Sequence, residues 1–82
     1  GDFLKYRIYF RNTGTAPITD LVVNDSVPKA TGLVIGSSAC EVTPVAMTCT
    51  PNVNIDQLNW NFTGVLIGGG AGHVSYEVMV NN

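Results

Sequence analysis

The stretch Phe3–Arg11, FLKYRIYFR, changes face at every residue. Leu4, Tyr6, Ile8 and Phe10 fall on one side. Lys5, Arg7 and Arg11 fall on the other, together with Phe3 and Tyr9. A period of two is that of a half-buried strand; on a helix the same four apolar residues would be scattered round the axis. The period returns in QLNWNFTG, where Leu58, Trp60 and Phe62 share a side, and in HVSYEVMVN, where Val74, Tyr76, Val78 and Val80 do. No segment of useful length carries a 3.6-residue period. Short strands punctuated by Gly, Asn and Pro describe an all-β sandwich.

The remaining segments fit that frame. In NTGT, Asn12 and Gly14 both tolerate positive φ, which predicts a turn. Pro17 suits a strand start or an edge. ITDLVVND reads as a second strand with Leu21 and Val23 on one face, ended by Asp25, Ser26 and Pro28. An Asp shortly before a proline bonds local backbone amides. GLVIGS reads as a short third strand. VLIGGGAG reads as an apolar step into a hairpin turn, because GGGAG lacks the Lys-Ser/Thr of a phosphate loop and precedes a strand.

At 82 residues the chain is one domain, 1–82, with a thin core. Its two cysteines, Cys40 and Cys49, flank Pro44-Val45. Folding back there pairs Val42 with Met47, Glu41 with Thr48 and Cys40 with Cys49, within disulfide reach on an antiparallel ladder. So short a closed loop adds about 2.5–3 kcal/mol in the chain-entropy model. A bonded pair implies an oxidising, extracellular setting. Two Cys and one His are too few for a zinc site.

Charged residues make up 12% of the chain, the net charge is −2 and the pI is near 4.9. Lys5, Arg7, Arg11 and Lys29 are scattered, which argues against nucleic acid and against an anionic membrane surface. No apolar run reaches the ~20 residues of a membrane span, so no membrane insertion of this segment is expected. His73 is the sole histidine, and Ser75, two residues on, suits a strand face better than a catalytic pair. Asp2, Asp20, Asp25, Asp56 and Glu41 form no calcium-loop spacing. The expectation is a non-enzymatic chain with no catalytic residues, no metal and no cofactor. Two glycosylation sequons occur, Asn24-Asp25-Ser26 and Asn61-Phe62-Thr63, with Asn61 on the outward side of its strand.

Three blocks in order carry a family resemblance. GDFLKYRIYFRNTG, APITDLVVNDSVP and LNWNFTGVLIGGGAGHVSYEVMV resemble the successive blocks of the "conserved repeat domain" family of bacterial and archaeal surface proteins. The likeness covers nearly the whole chain. Two departures stand out: glycines, Gly68 to Gly70, replace the family's usual Pro-Gly, and the strand that usually precedes Gly-Asp is missing before Gly1-Asp2. The resemblance implies an immunoglobulin-like antiparallel β-sandwich of about 6–7 strands that lacks its first strand. It also implies a structural role as a spacer or stalk repeat of a microbial cell-surface protein. A missing strand leaves an unpaired edge, and Phe3, Lys5, Arg7 and Tyr9 are the candidate edge or partner contacts. The expected partners are neighbouring copies or adjacent domains of the same protein. The alternatives are a filament subunit joined by β-strand complementation and an adhesin module whose end loops take a carbohydrate or protein ligand.

Overall fold

Each alternating run becomes a strand in the computed structural model, which describes residues 1–81. The elements are β1 (Phe3–Arg11), β2 (Ile18–Thr19), β3 (Val22–Ser26), β4 (Thr31–Leu33), β5 (Ala39–Val42), β6 (Met47–Asn54), β7 (Gln57–Leu66) and β8 (Ala71–Val80). They make two antiparallel sheets, each organised round one ten-residue strand. In the first, β8 pairs with β1 along its whole length, from Phe3↔Met79 to Arg11↔Ala71. The other side of β8 is shared by β4, at Leu33↔Val78, and β5, at Ala39↔Ser75. In the second, β7 pairs with β6 on one side and with β3 and β2 on the other.

The inward side chains of the two central strands form the core. Leu58, Trp60 and Phe62 of β7 meet Val74, Tyr76 and Val78 of β8, and Tyr6, Ile8, Phe10, Leu21 and Val23 pack round them. Burying each large side chain contributes about 1.5–3 kcal/mol. The aromatic rings also meet one another. Tyr6 stacks on Tyr76 with centroids 5.4 Å apart, and Phe10 meets Phe62 edge-on at 5.1 Å. The parity read from the sequence therefore holds for β1, β7 and β8. Leu4 is the exception: it lies at the sandwich end and is 43% exposed. The whole is a rod of 46 × 19 × 17 Å.

Four local expectations are corrected. Cys40 and Cys49 are bonded, but not across a hairpin ladder, because β5 belongs to the first sheet and β6 to the second. Met47, Thr48 and Cys49 instead oppose Gly64, Thr63 and Phe62 of β7. The bridge thus ties sheet to sheet. The glycine-rich segment also crosses between sheets: β7 and β8 do not pair, and Gly70 N donates to Ile67 O (2.9 Å) in an arch over the sandwich end. The run 18–25 is not one strand. Asp20 adopts φ +58° and breaks it into β2 and β3. GLVIGS is strand only as far as Leu33; Val34 N still donates to Glu77 O of β8 (3.0 Å), and Ser37 N then closes a turn on Val34 O (3.1 Å).

The NTGT turn forms for a different reason from the one expected. Neither Asn12 nor Gly14 has positive φ. Asn12 is 4% exposed, and its amide Nδ2 donates to Ala16 O (2.8 Å) and Leu66 O (3.1 Å). Its Oδ1 accepts from Gly14 N (3.0 Å), and its backbone exchanges hydrogen bonds with Gly69 and Gly70. One buried amide therefore pins the β1–β2 turn to the β7–β8 arch. Such satisfied networks fix a single arrangement of the chain.

Candidate functional site

The register of β5 on β8 shifts between Ala39 and Val42. This bulge adds one residue and swings the Glu41 side chain over the outer face of the first sheet. There it meets cations from both other strands. Lys5 Nζ lies 3.3 Å from Glu41 Oε1, Arg7 Nε 3.3 Å from the same oxygen, and His73 Nε2 3.4 Å from Oε2. The His73 contact is ionic only when the ring is protonated. The buried Ser75 hydroxyl, then Lys5 and Arg7, hold the Glu41 carboxyl down at about 2. Ser75 Oγ makes no hydrogen bond to the carboxylate in this geometry, so the direct contacts that lower it are those of Lys5 and Arg7. Ser75 Oγ remains an unpartnered hydroxyl on a residue 1% exposed.

Tyr9 covers the next row. Its ring lies 4.6 Å from His73, centroid to centroid, while the residue stays 69% exposed. Tyr9, Phe10, Arg11, Val42, Gly72 and His73 line a shallow groove of about 350 Å³. Gly72 forms its floor, since a β-carbon there would run into the Val42 carbonyl and the Phe10 ring. At the other end of β1, Phe3 is 63% exposed opposite Met79. The four expected contact residues, Phe3, Lys5, Arg7 and Tyr9, therefore lie in one row along β1. That strand pairs on one side only. Lys5 and Arg7 both contact Glu41, which offsets one of their two charges.

A serine nucleophile needs its base within hydrogen-bond reach. His73 Nε2 faces Glu41, and Ser75 Oγ is buried without a partner. Among the described residues, no group of three or more His, Cys, Asp or Glu side chains could hold a metal ion. Asp25 turns inward, where Oδ2 accepts from Tyr76 OH (2.8 Å) and Oδ1 from Ser26 N (2.8 Å). The local amide bond expected of Asp25 is present; the bond across the sheets was not foreseen. Burial first, and then the Asp25 carboxylate, push the Tyr76 phenol well above its ordinary range.

The outer face of the second sheet is different in kind. The outward positions of β3, β6 and β7 carry only Asn, Gln, Ser, Thr and Val. They bond to one another: Ser26 Oγ donates to Gln57 Oε1 (3.0 Å), while Asn52 Nδ2 (3.3 Å) and Asn61 Nδ2 (2.9 Å) both donate to Asn59 Oδ1. Thr48 and Thr63 share a further hydroxyl contact. Asn24 and Asn61, the two sequon asparagines, are both exposed on this face.

Sequence reasoning missed Glu41 as a hub because its partners, Arg7, Lys5 and His73, all lie more than 30 residues away, and only the folded register joins them. The alternation of β8 already put His73 and Ser75 on one side, which was the available signal. No helix among the described residues is long and apolar enough to cross a membrane. No family model matches this chain, and neither a curated protein nor a solved structure matches it.

Proposed function

We propose that this chain is a non-enzymatic structural module of a microbial cell-surface or extracellular protein, an immunoglobulin-like spacer of the conserved-repeat kind that its sequence resembles. The observation that carries the reading is the Cys40–Cys49 bridge between the two sheets. A thin two-layer core resists shear and partial opening poorly, and a covalent tie between the layers limits both. Such a tie persists in an oxidising compartment. The surroundings agree with it. The Glu41 charges are compensated within the fold, and much of the amide face is bonded to itself. A 46 Å rod gives useful length per residue for a stalk. The test is sedimentation and limited proteolysis of the oxidised and reduced chain. A spacer stays monomeric and protease-resistant when oxidised and is cut much faster when reduced. Equal cleavage in both states would sink the role given to the bridge.

A second reading has its own support. β1 is a nine-residue edge with no proline, flanked by the exposed rings of Phe3 and Tyr9. A long flat edge accepts a further strand, and copies joined in this way would form a filament. Negative-stain microscopy over a range of concentrations separates the readings. Fibres that disappear on placing a proline at Tyr9, whose backbone N–H faces the free edge and not β8, support the filament, and single particles throughout support the spacer.

A further inference from the structure

The two sequons converge on one surface. Trp60 and Phe62 face the core, as do Val23 and Asp25 beside them, so Asn61, Thr63, Asn24 and Ser26 all face outward. The β3–β7 register sets Asn24 opposite Asn59 and Val22 opposite Asn61. The two acceptor asparagines are therefore diagonal neighbours on adjacent strands, roughly 7–8 Å apart. No charged side chain interrupts the outward positions of these strands.

We infer that this face carries an N-linked glycan, and that Asn24 is its acceptor. The two candidates differ in what holds them. Asn61 stands on the central strand, between β3 and β6, and its amide donates to Asn59 (2.9 Å). Asn24 is exposed on β3, which pairs with β7 alone, and its side chain makes no hydrogen bond among the described contacts. An enzyme must draw the sequon into its own site, with the hydroxyl two residues on close to the amide. On β3 that frees one ladder of backbone bonds; on β7 it would break two.

The donor is a lipid-linked oligosaccharide phosphate, and the catalyst is the membrane transferase of the source cell. The bond between sugar C1 and the phosphate oxygen breaks. A bond between C1 and Asn24 Nδ2 forms, Nδ2 gives up one proton, and the lipid phosphate leaves. Once attached, a glycan at Asn24 lies over Asn59, Asn61 and Thr50, neutral donors and acceptors that suit sugar hydroxyls. The first sheet offers Lys5, Arg7 and Glu41 instead.

The test is intact-mass and glycopeptide analysis of the chain made in its own source, alongside Asn24→Gln, Ser26→Ala, Ser26→Thr and Asn61→Gln. The expected result is an oligosaccharide mass on the wild type, on S26T and on N61Q, and its loss from N24Q and S26A. N24Q removes the acceptor while S26A removes only the sequon hydroxyl, so a shared loss is not a folding artefact. An unmodified wild type overturns the inference. So does a mass that survives N24Q, or one lost in N61Q alone.

Discussion

The two outer faces of this sandwich solve the same problem with different chemistry. Both cover a central strand whose inner side chains form the core, and both must satisfy a row of polar groups. On the first sheet the solution is one carboxylate, Glu41, set among Lys5, Arg7 and His73. On the second it is a neutral ladder through Gln57, Asn59 and Thr63 to their cross-strand neighbours. The charged solution joins three strands at one point and responds to pH and salt. The neutral one spreads over many weak pairs and responds to neither. The difference suggests a division of labour, with one face adjustable by its surroundings and one inert.

The largest expected effect ignores that difference. Trp60 is fully buried between the sheets and packs near Tyr76. Trp60→Ala should cost about 3–5 kcal/mol. Probes on the two faces should then melt together, since one core serves both. Separate transitions would mean that each sheet is stable alone. Trp60→Phe should cost less than its volume suggests, because the indole Nε1 has no hydrogen-bond partner and its loss strands nothing. Next comes the covalent tie between the faces. Replacing Cys40 and Cys49 with Ala should remove about 2.5–3 kcal/mol and lower the thermal midpoint by roughly 10 °C or more. A shift of only a degree or two would show that the bridge constrains little.

The noncovalent link between the sheets ranks third. Tyr76→Phe deletes the hydrogen bond to Asp25 and should cost about 1.5–3 kcal/mol, as for a bond to a charged acceptor. It also has a pH signature. The folded state holds the Tyr76 proton more tightly than the unfolded state, so this contribution is complete below the ordinary phenol range near ~10 and is lost as pH rises beyond it. Urea midpoints between pH 8 and about 11 should fall more steeply for the wild type than for Y76F. Parallel curves would remove the link.

What could be read from the chain, and what could not, follows the range of the interactions. The strands of β1, β7 and β8 were legible because alternation is local and each run is long. The inward set Leu58, Trp60, Phe62, Val74, Tyr76 and Val78 follows from that parity alone. The disulfide was legible as a pair, but its placement was not. A ten-residue segment from Cys40 to Cys49 closes equally well as a ladder or as a crossing between layers, and the choice depends on β7 and β8 competing for β6 and β5. Asn12 looked like a residue chosen for its backbone, yet it is there for its amide, whose second partner, Leu66, lies 54 residues on. The Glu41 cluster was hidden for the same reason. The exposed Ile55, held at φ +59° in the β6–β7 turn, had no local signal either, because a β-branched residue is the last choice for that conformation.

The comparison between the faces is best sharpened where the expected effects are smallest. Glu41→Gln keeps the shape and removes the charge. In the wild type the carboxyl titrates at about 2 instead of its ordinary 4.5, so the contribution is fully present above 4.5 and is lost as pH falls towards 2. The difference between wild type and E41Q should therefore close as pH falls across that acid window, and it should shrink at neutral pH when salt is raised to about 1 M. Asn59→Ala on the other face removes one shared acceptor and should cost about 0.2–1 kcal/mol. Because its partners are neutral, that cost should be the same at low and high salt and at pH 3 and pH 7. Chemical denaturation in urea, which adds no charge, measures both variants under all these conditions. If N59A proves the salt-sensitive one, or E41Q keeps the acid slope of the wild type, the two faces do not differ in the way their side chains imply, and the Glu41 cluster is an incidental feature of the surface.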